Sequence, residues 1–199
     1  MIKRALFVLA VAMFGISGCG AVDMGRYVPE ALMRLDATAV YPLSVAVIDE
    51  RPYILSGEKR DNFIGLYRGS FGEPHDALME GGTSLAQVIE RDLKADLRSA
   101  GFAVMEGNAE RLVEVSVQEY KYDCYVNCRV WHSLHVRIKD PSGTTLYEAD
   151  VEDKRDVMGG SFSGYKPALS KELPKIYAKM IRDIVLSSPG AMAVLKRPG

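Results

Sequence analysis

The chain has 199 residues and is nearly neutral, because 25 lysine and arginine residues stand against 26 aspartate and glutamate residues. A formal net charge of −1 at pH 7 excludes a general electrostatic attraction to nucleic acid or to anionic lipid. The length is normal for one domain with a short tether, and the sequence shows neither an internal repeat nor a second domain.

The first 18 residues have the three-part organisation of a secretory signal peptide. Lys3 and Arg4 form a short basic start, residues 5–16 are an uncharged apolar run, and small residues then lead to Cys19. The apolar run is too short to cross a bilayer as a helix, which needs about 20 such residues. We therefore predict that residues 1–18 direct export and are then removed.

The end of this segment, Ile16-Ser17-Gly18-Cys19, resembles the lipobox of bacterial lipoproteins. The resemblance implies that Cys19 becomes the lipidated first residue of the mature chain and anchors it to a membrane. In such lipoproteins the residue after the cysteine helps to sort the product, and Gly20, which is not aspartate, implies the outer membrane. The expected location is the periplasmic face of the bacterial outer membrane.

Removal of the leader leaves residues 19–199 and takes the formal charge from −1 to −3, because Lys3 and Arg4 leave with it. Residues 19–42 are of mixed polarity without a sustained period, and two prolines interrupt them. We predict that they form the lipidated tether and that residues 43–199 form a single globular domain.

The first predicted element is a strand, Leu43–Ile48, whose apolar and β-branched run is typical of burial on both faces. Asp49-Glu50-Arg51-Pro52 follows, and its charges and proline end the strand. Residues 53–82 are rich in glycine and show no convincing period. They are predicted to form a long loop, of the kind that is either functional or mobile.

A helix is predicted to begin after Ser84, which can cap it with Gln87 three residues later, and to end at Gly101. One side of this helix is an apolar stripe: Leu85, Val88, Ile89, Leu93 and Leu97. Phe102–Met105 then predicts a short second strand, so that the first strand, the helix and this strand form a βαβ unit.

Alternating polarity predicts three further strands, at residues 112–122, 129–139 and 145–155. Asp140-Pro141-Ser142-Gly143 has the proline and glycine of a tight turn between the last two. A second glycine-rich loop, 156–169, leads to a final amphipathic helix that starts near Ser170. The elements predict an α+β fold, a two-layer sandwich with two helices on one face of a mixed sheet of four or five strands. The order along the chain is β-α-β-β-β-β-α, or one strand fewer.

Once Cys19 is lipidated, one pair of cysteines remains, Cys124 and Cys128, and an even number in an exported protein suggests a disulfide. The pair flanks a predicted hairpin tip, which a disulfide would hold. With His132 and His135 the thiols also have the composition of a zinc site. Residues three apart on a strand point to opposite faces, however, which argues against zinc. Free thiols are the other alternative.

The long loop and the turn before it carry several titratable groups: Asp49, Glu50, Arg51, Asp61, Glu73, His75 and Asp76. Carboxylates with a histidine can perform acid–base chemistry, but no spacing here matches a catalytic signature. We therefore predict that the protein is not an enzyme and has no catalytic residues, no cofactor and no metal. The loop is expected to be solvated or to bind a partner.

The elements together resemble the YajG-type family of bacterial lipoproteins. The resemblance depends on Cys19, on the first strand running into Asp49-x-Arg51-Pro52, on the helix from Leu85 to Gly101, and on the order of the strands and helix after it. A similar order occurs in the lipoprotein that plugs the lipopolysaccharide translocon and in auxiliary lipoproteins of lipid-transport ABC systems. These resemblances imply a lipoprotein of the cell envelope without catalytic residues.

The sequence favours a non-enzymatic lipoprotein, anchored to the membrane through Cys19, that supports envelope assembly by contacting an envelope protein rather than nucleic acid. Its partner-binding surface is predicted at Asp49, Arg51 and Pro52, on residues 53–82 or on a sheet face beside them. The alternative is an accessory lipoprotein of an envelope transport system, which binds an unidentified lipid or glycan in a groove between the sheet and the loops. A hydrolase or metalloenzyme is the least supported function.

Overall fold

The computed structural model describes residues 27–29, 35–69, 71–159 and 164–198. The predicted signal segment, Cys19 and much of the predicted tether lie outside these residues. Within the described ranges, no helix is long and apolar enough to cross a membrane. The strands and α-helices there are β1 (Leu43–Asp49), α1 (Pro52–Leu55), β2 (Phe63–Arg68), β3 (Pro74–Leu78), α2 (Leu85–Ser99), β4 (Arg111–Cys124), β5 (Cys128–Lys139), β6 (Thr145–Val157), α3 (Lys166–Ile184) and α4 (Pro189–Leu195).

These strands form one mixed sheet, and the predicted α+β sandwich is confirmed. The spatial order of the strands is β3-β2-β4-β5-β6, with β1 also paired to β4. The helices α2 and α3 pack against the sheet and against each other, and their apolar residues join those of the strands in one core. The opposite face of β4, β5 and β6, called the open face, carries polar side chains that are partly or fully exposed.

Burial alternates along β5 as the sequence predicts. Five alternate residues face the core: Val130, His132, Leu134, Val136 and Ile138. On β4 the odd-numbered residues face the core as far as Val117. The pairing of β4 with β5 then shifts by one residue between Val117 and Glu119. Beyond this bulge the even-numbered residues are buried, which a strict two-residue period does not predict.

The strand β4 pairs with β5 along one edge and with two strands in succession along the other. β1 runs parallel to residues 111–117, and β2 runs parallel to residues 122–124. Residues 118–121 pair with neither β1 nor β2 on that edge. The chain therefore leaves a gap in the ladder at the point where β1 ends and β2 begins.

The predicted long helix is confirmed as α2. The Ser84 hydroxyl accepts a hydrogen bond from the Gln87 N–H at 3.3 Å, and the predicted apolar stripe is buried. Gly101 follows the helix with φ +102°, and a Cβ there would lie 2.6 Å from the Leu35 carbonyl oxygen. Glycine is therefore needed at this helix end both for its backbone conformation and for its packing.

The C-terminal segment forms a helix that was not predicted. Pro189-Gly190 indicates a helix stop, but proline is also favoured in the first turn of a new helix, and α4 begins there. The Ser188 hydroxyl accepts a hydrogen bond from the Ala191 N–H and shares one of 2.7 Å with the Tyr147 hydroxyl. The helix before it, α3, begins at Lys166, which is four residues earlier than predicted.

Two predictions about the region before β4 were wrong. Residues 53–82 do not form one loop, because most of α1 and all of β2 and β3 lie within them. Phe102–Met105 forms only an isolated bridge, between Leu43 and Val104, and the parallel partner of β1 is β4. The connection from β1 to its parallel partner β4 therefore contains α1, β2 and β3 as well as α2.

The described part of the predicted tether packs on the globular domain. Val40 is 2% exposed and forms a bridge with Lys196. Tyr27 lies against the helical layer, where its hydroxyl donates a hydrogen bond to Asp96 at 2.6 Å and its ring meets that of Tyr177 edge-on. The packed unit therefore extends to the N-terminal side of residue 43, which shortens the segment that can act as a tether.

Candidate interaction surface

The Asp49–Pro52 turn, which was predicted to bind a partner, places its arginine inside the protein. Arg51 is fully buried and forms a bidentate ion pair with Asp49, with Nε 2.8 Å from Oδ1 and Nη2 2.7 Å from Oδ2. Its guanidinium also donates to three backbone carbonyls, those of Phe63 at 2.6 Å, Asp61 at 3.0 Å and Tyr120 at 3.4 Å.

These carbonyls lie where β1 has left β4 and β2 has not yet joined it. A buried carbonyl without a hydrogen-bond partner destabilises the folded state. Among the described residues, no neighbouring strand donates to these carbonyls, and the Arg51 guanidinium donates to them instead. Burial alone would lower the pKa of Arg51, but the hydrogen bond and charge of Asp49 outweigh it, so the pKa is raised. Arg51 therefore links two strands that share one edge of β4. Partner binding at the three turn residues stays a prediction, and of these Pro52 is the exposed one.

The helix α1, directly after this turn, places an aromatic side chain beside the open face. The Tyr53 hydroxyl donates to Glu119 Oε1 at 2.5 Å, and burial together with this carboxylate raises the pKa of Tyr53. Lys121 Nζ lies 5.3 Å from the centroid of the Tyr53 ring and 5.1 Å from that of Trp131. We call Tyr53, Lys121 and Trp131 the aromatic strip, since a cation is held there between two rings.

The rest of the open face is a set of matched charges, with basic side chains on β5 and acidic ones mainly on the edge strand β6. The ion pairs are Arg129 with Asp156, His135 with Asp150 and Glu148, and both Arg137 and Lys139 with Glu114. Charges on an edge strand also oppose pairing with a strand of another chain. The aromatic strip is therefore the apolar part of an otherwise polar face.

The two histidines of β5 lie on opposite faces, as the strand period predicts. His132 is in the core, and its Nδ1 has no hydrogen-bond partner among the described residues. His135 is on the open face, with Nδ1 2.7 Å from Asp150 and Nε2 2.8 Å from Glu148. In the part of the chain that the structure describes, no three histidine, cysteine, aspartate or glutamate side chains are arranged to hold a metal ion.

The two histidines are expected to affect stability in opposite senses as the pH changes. Burial lowers the pKa of His132, so its contribution is present above the unfolded value of about 6.5 and is lost as the pH falls through the lowered pKa. Asp150 and Glu148 raise the pKa of His135. Its contribution is therefore complete below about pH 6.5 and is lost as the pH rises through the raised pKa.

Urea unfolding at pH values about one unit above and below the histidine reference value tests this pair of assignments. The variant His132→Leu should lose less stability than the wild type when the pH falls, because the loss due to His132 is then absent while the gain due to His135 remains. The variant His135→Gln should lose more stability than the wild type when the pH falls, because the stabilising protonation of His135 is then absent. The same pH dependence in all three proteins would contradict the two placements.

Three tips meet at the end of the sheet where β4 and β5 join, namely the β2–β3 turn, the β4–β5 turn and the end of β6. The β4–β5 turn, residues 125–127, is closed by a disulfide between Cys124 and Cys128. The β2–β3 turn lies beside it, since Tyr67 pairs with Cys124, and β6 ends there, since Cys128 pairs with Val157. Large apolar side chains are exposed on these tips: Phe71 at 97%, Tyr125 at 53%, Val126 at 68% and Met158 at 70%. We call these four residues the apical cluster.

The disulfide agrees with the prediction from the cysteine count. The two cysteines pair in register across the hairpin, and both are buried. The Asn127 side-chain oxygen accepts a hydrogen bond from the Gly159 N–H at 2.9 Å, which joins the turn to the end of β6. The β4–β5 turn is therefore held both covalently and from the neighbouring strand.

Reduction of this disulfide is expected to lower the free energy of unfolding by about 2 kcal/mol, as for other loops of about five residues. The loss is modest because a short loop restricts the unfolded chain little, and the long β4–β5 ladder keeps the hairpin formed. Urea unfolding of the oxidised and the reduced wild type, with the thiols alkylated after unfolding, measures the difference. Two thiols that can be alkylated in the native oxidised protein would contradict the assignment.

Two shallow clefts lie near the apical cluster. One, of about 380 Å³, is lined by Trp131 and Met158 and by polar side chains that include Asp123, Asn127 and Asp156. Both aspartates are already paired, Asp123 with Arg68 at 2.8 Å and Asp156 with Arg129 at 2.7 Å. The other cleft, of about 440 Å³, lies between the end of β6 and the first turns of α3.

Comparison with known proteins bears on the fold alone. No family model matches the chain, and no curated protein matches it. A DUF330 protein of Xanthomonas campestris is similar in structure with a TM-score of 0.51 at 14% identity, covering 78% of this chain and 88% of that one. A minor lipoprotein of Acinetobacter baumannii has a TM-score of 0.38 at 11% identity, covering 78% of this chain and 97% of that one. The first likeness shows a shared fold, and the second carries no argument.

Proposed function

We propose that the chain is a non-enzymatic lipoprotein of the YajG type. In this proposal Cys19 anchors it to the periplasmic face of the outer membrane, where it supports envelope assembly by contacting a protein partner. The observation that carries the proposal is the leader with its lipobox, Ile16-Ser17-Gly18-Cys19, and the glycine that follows it. A short basic start, an apolar run below transmembrane length and a cysteine after small residues together support export followed by lipidation.

The partner-binding surface of this proposal is the aromatic strip on the open face. Tryptophan and tyrosine provide much of the binding energy at protein interfaces, and both are partly exposed here beside a lysine. The paired charges around the strip supply a polar rim, as at other protein interfaces. The strip lies on a sheet face beside residues 53–82, where the sequence predicts a partner.

Crosslinking in intact cells tests the partner. A photo-crosslinking amino acid at Tyr53 or at Trp131 should give the same protein adduct reproducibly. The matched control is Lys175, an exposed residue of α3 on the other side of the sheet, which should give no such adduct. Adducts that are absent at both strip positions, or equally strong at Lys175, would contradict a partner at the strip.

A second candidate function is binding of a glycan or lipid, and the cleft beside Trp131 favours it. An aromatic ring next to amide and carboxylate groups is a common composition for a small-molecule site. The cleft offers a ligand few free polar groups, because the carboxylates of Asp123 and Asp156 are already paired with arginines. A native mass spectrum of protein purified from its own cells should show a bound glycan or lipid if this function holds, and the unliganded mass if it does not.

A further inference from the structure

We propose that the apical cluster inserts into the interface of the lipid bilayer that holds the anchor. Phe71, Tyr125, Val126 and Met158 are each more than half exposed, at 53–97%, although they are large apolar side chains. Single exposed apolar residues are ordinary on a protein surface, but several grouped at one end mark an interaction site. The group lies at one end of the sheet, where Met158 shares a cleft with Trp131 of the aromatic strip.

The three tips that carry the cluster are held in place by bonds within the chain. The disulfide and the Asn127–Gly159 hydrogen bond fix the β4–β5 turn against the end of β6. The β2–β3 turn is closed by the Gly69 N–H, which donates to the Glu73 carbonyl at 2.9 Å. The apolar side chains are therefore presented to the surroundings without a further cost of ordering the turns.

The shape of the cluster fits a fluid surface better than a protein groove. Its members stand on three separate tips, and the cleft between two of these tips is lined mainly by polar side chains. A bilayer interface can adapt to each tip separately, and it accepts apolar side chains next to polar ones. Tyr125 suits this region, since its ring is apolar and its hydroxyl is polar.

Two arginines near the cluster are paired with carboxylates, and one carboxylate, Glu73, lies in the Phe71 turn, where its Oε2 accepts a hydrogen bond from the Phe71 N–H at 3.0 Å. Arg68 pairs with Asp123 through two hydrogen bonds, of 3.1 and 2.8 Å, and Arg129 pairs with Asp156 at 2.7 Å. These two pairs are neutral, and Glu73, whose side chain is about half exposed, can stay in the hydrated headgroup region while the Phe71 ring enters the lipid. Binding should therefore depend on apolar contact, and neither the content of anionic lipid nor the ionic strength should change it greatly.

The length of chain before the described residues places a bilayer within reach. Eight Cα-to-Cα steps join Cys19 to Tyr27, and they span at most about 29 Å when extended. Tyr27 is fixed to the helical layer, so the domain must remain near the anchored end. This step rests on the proposed function, since it assumes a lipid on Cys19.

Vesicle binding by the mature chain without its lipid tests the proposal. The protein is residues 19–199 with Cys19→Ser, and the probe is sucrose-loaded vesicles of phosphatidylethanolamine and phosphatidylglycerol. The variant Phe71→Ser should bind about tenfold more weakly than this parent, because one large apolar side chain no longer enters the lipid. The matched control is Leu55→Ser, which removes a side chain of 69% exposure outside the cluster and should leave binding unchanged.

A second variant, Val126→Ser, repeats the test on another tip, and far-ultraviolet circular dichroism shows that each variant is folded. No vesicle binding by the parent, or equal losses for Phe71→Ser and Leu55→Ser, would overturn the proposal. Self-association or capture of a protein that depends on Phe71 in the absence of vesicle binding would assign the cluster to a protein interface instead. Because the chain used here carries no acyl group, the result is independent of whether Cys19 is lipidated.

Discussion

Replacing Arg51 with methionine is expected to lower the free energy of unfolding by about 3–5 kcal/mol. Methionine keeps much of the apolar volume of the arginine stem. It leaves the Asp49 carboxylate, which is 12% exposed, without its bidentate partner. It also removes the donors from three carbonyls in the gap of the ladder, those of Asp61, Phe63 and Tyr120. Urea unfolding followed by far-ultraviolet circular dichroism measures the loss.

The matched control is Arg68→Met. Arg68 pairs with Asp123 through the same two-bond geometry, but both side chains are about one third exposed, at 35% and 33%. Solvent screens such a pair, so the variant is expected to lose little stability. If Arg51→Met costs no more than Arg68→Met, then Arg51 does not link β1 to β2.

Replacing Cys19 with alanine is expected to abolish fatty-acid incorporation completely. The thiol is the only group of the lipobox that can carry the lipid, so the resemblance implies that no other residue replaces it. Export of the variant should still begin, because the basic start and the apolar run are unchanged. Metabolic labelling of cells with a fatty-acid analogue, followed by immunoprecipitation of the protein, measures the loss.

The control for this experiment is Gly20→Asp. It keeps the cysteine, so lipidation should be unchanged, while the residue that helps to sort the product is altered. The labelled protein should then move from the outer to the inner membrane fraction. An equally labelled band from Cys19→Ala would refute lipidation at this residue.

The later half of the sheet was predictable because its signals are local. Alternating polarity and the Asp140-Pro141-Ser142-Gly143 turn define the β5–β6 hairpin within a short stretch of chain, and the structure has both. The opposite faces of His132 and His135 follow from the same period. A single-residue bulge in β4 reversed the pattern for Tyr120 and Tyr122, and nothing in the local sequence indicates where such a shift occurs.

The strands β2 and β3 were missed because their stability comes from distant residues. β2 is short and contains Gly65, which lowers its strand propensity. The glycine is needed because Tyr122 of β4 lies so close that a Cβ at Gly65 would be 2.5 Å from the Tyr122 carbonyl oxygen. Such a requirement is visible only once the two strands are paired.

The role of Arg51 was also hidden in the sequence. A charged residue beside a proline at the end of a strand usually lies at the surface. Arg51 is buried because β1 and β2 share one edge of β4. That arrangement depends on the topology of the whole sheet, and the Asp49–Pro52 motif does not indicate it. The apical cluster was missed for a related reason. Phe71, Val126 and Met158 come from separate segments, and pairing of β2, β4, β5 and β6 brings those segments together.

The mass of the mature protein purified from membranes tests most directly the central claim that this chain is a lipoprotein held by Cys19. The account predicts an N-terminal peptide that begins at Cys19 and carries at least two fatty acyl chains, since one chain gives only marginal attachment. A protein that begins at Met1, or one that contains an unmodified Cys19, would contradict the account.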